Sequence, residues 1–254
     1  MKICTLVPAN KGILKFSEPL TAKKFTGQTE LNYLDGKTST TSFCQASSLL
    51  QKFVTQKQYP GTHVFHLSYN FGEYLMGLDA NPEVLYFHFS KEEPLPYKPM
   101  ENGLDLRLVS KPQYQDYLPR FKKVMDHLLL GNCYQVNLTE RYKYMLQSDF
   151  SFEGLAHHLW SGGQRAGYGH MTKLLEGGLI SNSPECLFSV GLDGVLKTKP
   201  IKGSIAFDPA RDSFATKWRC LIEDPKEEAE LNMITDLMRN DLARLNLDTR
   251  VVSK

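Results

Sequence analysis

The stretch Leu174-Leu175-Glu176-Gly177-Gly178-Leu179-Ile180 decides the fold class. Two apolar runs flank a glycine pair, and glycine adopts the positive φ of a tight turn without steric cost. The stretch predicts a hairpin of two antiparallel strands. The pattern recurs downstream, where Cys186 to Val190 runs through Gly191 to Leu196. Strand pairs of this kind, intermixed with helices, favour an α+β class.

Working outward toward the N-terminus, Phe152 to Trp160 reads as a short helix closed by Gly162-Gly163, and Cys133 to Leu138 reads as a strand. Before them, Leu118, Phe121, Val124, Met125, Leu128 and Leu129 recur at helical spacing. They predict a helix from about Gln113 to Leu130, capped by Gly131. The first hundred residues read as short strands, with alternating runs at Thr62 to Leu67 and Val84 to Phe89. The proline- and charge-rich run from Lys91 to Pro99 is the linker candidate, because proline removes donors and extends the backbone. The resulting division is an N-terminal β-rich part over 1–100 and a second part over 101–254.

Toward the C-terminus lies the clearest helix. Asp224 is placed to cap it, Pro225 suits the first helical position, and Glu227 and Glu228 favour the positive end of its dipole. Leu231, Ile234, Met238, Leu242 and Leu245 then form one apolar stripe.

Composition excludes several function classes. The chain has 254 residues, 41% hydrophobic and 23% charged, as in ordinary globular proteins. Its net charge of +2 leaves no electrostatic footprint for nucleic acid or a membrane surface. Five cysteines, odd in number and well separated, form neither a zinc pattern nor a disulfide framework, so reduced thiols in a cytoplasm are expected. The start, Met1 to Pro8, is too short an apolar stretch for a signal peptide, and no apolar run is long enough to span a bilayer.

Four features could carry chemistry. Glu185 follows Ser183-Pro184 at a strand start, where a lone carboxylate is ordinarily a solvated turn residue. Lys202 sits between Ile201 and Gly203, where a lone lysine is ordinarily exposed, although the preceding apolar strand argues for partial burial. Glu227 and Glu230, three apart, share a helix face that either holds a hard cation such as magnesium or faces solvent. Asp236 and Arg239 are spaced to pair structurally. His157 and His158 are adjacent, so they point to different faces and do not chelate one ion together.

Taken jointly, these segments resemble a known family. Tyr134-Gln135-Val136-Asn137-Leu138-Thr139-Glu140-Arg141, Ser183-Pro184-Glu185, Thr198-Lys199-Pro200-Ile201-Lys202-Gly203-Ser204 and Ala229 to Asp241 occur in the order seen in chorismate-utilising enzymes. Ser68-Tyr69-Asn70-Phe71-Gly72 weakly resembles that family's N-terminal pattern, and the strong resemblance covers roughly 110–245. It implies antiparallel sheets packed face to face with helices outside.

Two positions select the branch that the resemblance implies. Members that add water to chorismate carry a lysine base where Gln135 stands, and glutamine takes no proton. Anthranilate synthases usually carry alanine where Lys202 stands. The Pro-Ile-Lys-Gly form is similar to that of aminodeoxychorismate synthases, in which this lysine is the nucleophile and ammonia comes from a glutamine amidotransferase subunit. The resemblance further implies Glu185 as general acid, Glu230 as a Mg2+ ligand with Glu227 beside it, and Gly203, Ser204 and Gln135 around the substrate. An amine nucleophile must be a free base, so the role calls for desolvation of Lys202 or a nearby cation.

The sequence departs from the family in two respects. Cys186-Leu187 replaces the usual arginine-phenylalanine after Ser-Pro-Glu. The family's Gly-Ala-Pro-Lys, Arg-Thr and Gly-Gly-Gly segments and a further magnesium-binding glutamate are not found after Val251. The expectation is therefore the first part of a chorismate-binding domain, truncated relative to the family. The competing expectations are anthranilate synthase component I and an incomplete module that binds chorismate without catalysis.

Overall fold

The computed structural model describes residues 3–9, 12–40, 48, 61–78, 80–98, 100, 103–146, 150–161, 166–191, 193–245 and 249–251. These form an α+β fold in which every strand pairing is antiparallel. The chain divides into two compact units, Met1–Pro94 with Gly163–Lys254, and Leu95–Gly162. That grouping differs from a division near residue 100, and the reason is strand pairing. β1 (Cys4–Ala9) bonds β9 (Tyr168–Lys173), with Thr5 opposite Thr172, so distant segments share one sheet.

In the first unit the 15-residue strand β2 (Gly12–Thr26) is the axis. It pairs β1 through its first half and β3 (Thr29–Asn32) through its second. β4 (Thr38–Thr40) extends that edge. Along its other side runs β6 (Glu83–Pro94), which also pairs β5 (Thr62–Leu67). The β2–β6 register slips between Pro19 and Thr21. There Glu18 takes φ 55°, a conformation disfavoured for a residue with a Cβ, and Ser90 Oγ donates to the Glu18 carbonyl at 3.0 Å.

The alternation of β6 is legible in its packing. Leu85, Phe87 and Phe89 join Ile3, Phe16 and Ala22 in one core cluster. Val84 and Tyr86 join Phe25 in another, closed by Phe71 of the short helix α1 (Tyr69–Leu75). Both faces of β6 are thus buried. Ser68 caps α1, its Oγ accepting from Phe71 N–H at 3.2 Å and from Glu83 N–H at 2.9 Å.

A polar chain crosses the same sheet. Thr5 Oγ1 and Thr172 Oγ1, both buried, lie 2.9 Å apart, and His66 Nε2 shares a hydrogen bond with Thr172 Oγ1 at 3.0 Å. The His66 and His170 rings are 5.1 Å apart. Burial, with His170 nearby, pushes His66 from 6.5 down to about 4, and burial also lowers His170.

The second unit contains β7 (Leu106–Ser110), α2 (Tyr114–Leu129), β8 (Lys143–Leu146) and α3 (Phe152–Trp160). β7 pairs β8. The α2 bounds match the helical spacing, and Gly131 follows it at φ 73° as expected of a glycine cap. In α3, His157 is buried with Nε2 3.0 Å from the Pro96 carbonyl, while His158 is exposed.

Two expected elements differ. Residues 133–138 form no strand: Tyr134 is 90% exposed and the pairing partner of β7 comes later, at Lys143–Leu146. Apolar alternation specifies a pleat but not a partner. The linker also starts later than expected, because Lys91 to Pro94 continue β6 opposite Ser17 to Leu14. A proline at a ladder end interrupts no central bonding. Gly162-Gly163, expected to close α3, lies outside the described residues.

No helix among the described residues is long and apolar enough to cross a membrane. Among the described residues, no disulfide joins Cys4, Cys133, Cys186 and Cys220 to one another.

Candidate active site

The site in the first unit starts at the end of β10 (Gly178–Ser183), which pairs β9 across the Gly177 turn, φ 90°. Ser183 Oγ accepts from Glu185 N–H at 3.2 Å and donates to the Glu185 carbonyl at 2.9 Å. This local loop turns the chain around Pro184 and fixes the Glu185 backbone. Its Oε1 accepts the N–H of Ile201 at 2.9 Å.

The short hairpin of β11 (Ser189–Val190) and β12 (Leu196–Lys197) makes that reach possible. Its turn is set by Gly194 at φ 76° and by Asp193 Oδ1 accepting from Val195 N–H at 3.0 Å. Thr198 Oγ1 donates to the Leu187 carbonyl at 2.7 Å, tying the outgoing chain to the incoming one. Glu185 and the 198–203 segment therefore lie side by side.

Lys202 is half-buried and Gly203 adopts φ 84°. A Cβ built on Gly203 would fall 3.0 Å from Glu227 Oε2 and 3.1 Å from Leu221 Cδ1. The backbone thus presses against α4 (Phe214–Ile222) and α5 (Pro225–Arg244), at a place where only glycine provides both the space and the left-handed conformation.

The start of α5 is built as its sequence dictates. Pro225 sits at the first turn, and Asp224 Oδ1 accepts from Lys226 N–H at 2.8 Å and Glu227 N–H at 3.3 Å. Glu227 and Glu230 are half-buried on one face. Lys226 Nζ lies 3.5 Å from Glu227 Oε1 and 3.4 Å from Glu230 Oε1, bridging them. Hydrogen bonding to Glu230, then the charges of Glu230 and Glu227, hold the Lys226 ammonium above the usual lysine range. Further along, Arg239 Nη2 pairs with Asp236 Oδ1 at 3.1 Å, the structural role its spacing implied.

The structure accordingly joins Glu185, Ile201-Lys202-Gly203 and Glu227 into one contiguous path, with Glu230 a turn further along α5. Ser204 is exposed beside it. Gln135 belongs to the second unit and is exposed. That unit holds an open groove of about 600 Å³ lined by Arg120, Thr139, Glu140, Arg141 and Lys143, with Arg120 paired to Glu140. None of the candidate residues lines it.

The donor set on α5 is all oxygen, which suits a hard divalent cation. Among the described residues no cluster of three or more His, Cys, Asp or Glu gathers around one point. Two carboxylates completed by water and substrate oxygens match the coordination habit of Mg2+. The Lys226 ammonium lies between the two carboxylates. Lys226 itself was missed from the sequence. Its signal was present, since it stands four residues before Glu230 on one helix face.

A family model for chorismate binding enzymes matches residues 81–253. The chain belongs to that family. It is 35% identical over 133 residues to aminodeoxychorismate synthase component 1 of Klebsiella aerogenes, covering 52% of this chain and 28% of that protein. The corresponding protein of Escherichia coli (strain K12) is 36% identical over 134 residues, with the same coverage. Anthranilate synthase component 1 of Bacillus pumilus is 31% identical over 129 residues, 51% of this chain and 24% of that protein. The chain thus matches about a quarter of the length of these relatives.

Proposed function

We propose that this chain is the chorismate-binding part of an aminodeoxychorismate synthase, which exchanges the C4 hydroxyl of chorismate for an amino group. The observation that carries the reading is the position of Lys202. It lies between a residue whose N–H bonds Glu185 and a residue in contact with Glu227. Similarity to two aminodeoxychorismate synthase components supports the same branch.

In this reading the Lys202 amine adds at C2 of the ring. The double bonds shift and the C4 hydroxyl departs as water, having taken a proton from the Glu185 carboxylic acid. Ammonia from a glutamine amidotransferase partner then adds at C4, the double bonds return, and the lysine amine leaves C2. Two conjugate displacements, one at C2 and one at C4, replace one difficult direct exchange. Ile201 N–H holds the Glu185 side chain beside the segment that carries the nucleophile. Glu227 and Glu230 would hold Mg2+, whose charge would neutralise a chorismate carboxylate. Gly203 keeps the backbone close to α5, and Ser204 contacts substrate.

The test is product analysis. The whole protein, given chorismate, Mg2+ and an ammonium salt, forms 4-amino-4-deoxychorismate, and Lys202→Ala slows this step or diverts its product. Anthranilate as sole product, or an unchanged rate and product in Lys202→Ala, overturns the reading. The second reading, anthranilate synthesis, has the similarity to the Bacillus pumilus protein in its favour. Fluorescence of anthranilate distinguishes it.

A further inference from the structure

Lys226 occupies an unusual position for a surface lysine. Asp224 fixes the first turn of α5 by accepting two backbone N–H groups. This sets Lys226 immediately before Glu227 and one turn before Glu230. Its side chain is 74% exposed, so packing does not hold it there. What holds it is charge, with the ammonium within 3.5 Å of one carboxylate oxygen of each glutamate. Two like charges three residues apart on a helix repel, and the ammonium relieves that repulsion.

We propose that Lys226 is an internal counter-cation that occupies the place between Glu227 and Glu230 and competes there with the divalent ion. The inference rests on the Mg2+ reading of that glutamate pair. The ammonium carries one charge and the ion two, so the ion displaces it once its concentration is high enough. The freed side chain has open solvent to enter. Lys226 therefore sets the concentration of divalent ion at which the site fills. In its absence the two carboxylates remain mutually repelled until an ion arrives.

The experiment is calorimetric titration of Mg2+ into the full chain without chorismate, repeated with Mn2+ and electron paramagnetic resonance to count free ion. Lys226→Met binds both ions about 3- to 10-fold more tightly than wild type, the worth of two exposed ion pairs. Lys226→Gln gives the same direction of change, and Lys226→Arg, which keeps the charge, stays within about twofold of wild type. Binding that is lost in Glu230→Gln but not tightened in Lys226→Met and Lys226→Gln overturns the counter-cation role and leaves the Mg2+ reading standing. Wild-type binding that Glu230→Gln does not weaken overturns both.

Discussion

Glu185 Oε1 accepts the backbone N–H of Ile201 at 2.9 Å, one residue before Lys202. Glu185→Gln keeps an oxygen for that hydrogen bond but has no proton to deliver. The variant should fold as wild type and lose about 10²- to 10⁴-fold in kcat, the usual worth of a general acid. Steady-state turnover beside circular dichroism checks this, and a rate within threefold of wild type would remove Glu185 from the chemistry.

Gly203 supports a second prediction. An alanine there takes a left-handed conformation at about 1–2 kcal/mol and also meets Glu227. Gly131, at φ 73°, has nothing within 4 Å of its would-be Cβ, so Gly131→Ala bears the conformational cost alone. Calorimetric melting should show the larger fall in Tm for Gly203→Ala. Only that variant should alter Mg2+ affinity.

A third prediction concerns the cap of α5. Asp224→Ala removes the acceptor for two N–H groups and should cost about 1 kcal/mol. Asp224→Asn retains an acceptor and should recover most of it. Urea unfolding of the two variants measures the difference, and equal losses would show that the cap hydrogen bonds contribute nothing.

The histidines of the first unit make stability depend on pH. His66 is held at about 4 in the fold against 6.5 when free, and His170 is lowered too. Below pH 6.5 the unfolded chain binds protons that the folded chain does not. Stability is therefore full above about pH 6.5 and falls as the pH drops toward 4. Replacing His66 with Asn should flatten that fall in denaturation midpoints between pH 7 and 4.5. A wild type no less stable at pH 4.5 than at pH 7 would contradict it.

Much of this architecture was legible because the signals were local. The α2 and α5 helices carry their own periodicity and end signals, and the Gly177 turn needs only its neighbours. The Cys133 to Leu138 segment misled because a strand exists only where a partner stands, and partners are set by chain elsewhere. The Thr5–Thr172 pairing was equally invisible, since nothing near Thr5 announces a strand far downstream. Within the candidate site, Glu185, Lys202 and the α5 glutamates were recognisable as residue types in order. Their junctions, Ile201 N–H on Glu185 and Gly203 against Glu227, depend on backbone approach, which a sequence does not encode residue by residue. Lys226 was overlooked because charge-pairing lysines are common on helix surfaces and only its geometry distinguishes this one.

The Thr5–Thr172 contact spans 167 positions of chain. A ribosome adding about 5–20 residues per second needs on the order of ten to thirty seconds to produce the later strand after the earlier one has emerged. Throughout that interval one edge of β1 is an open row of donors and acceptors, the kind of template that recruits stray chains. β2 pairs the opposite edge of β1, so its early folding leaves that row open until Tyr168–Lys173 emerges.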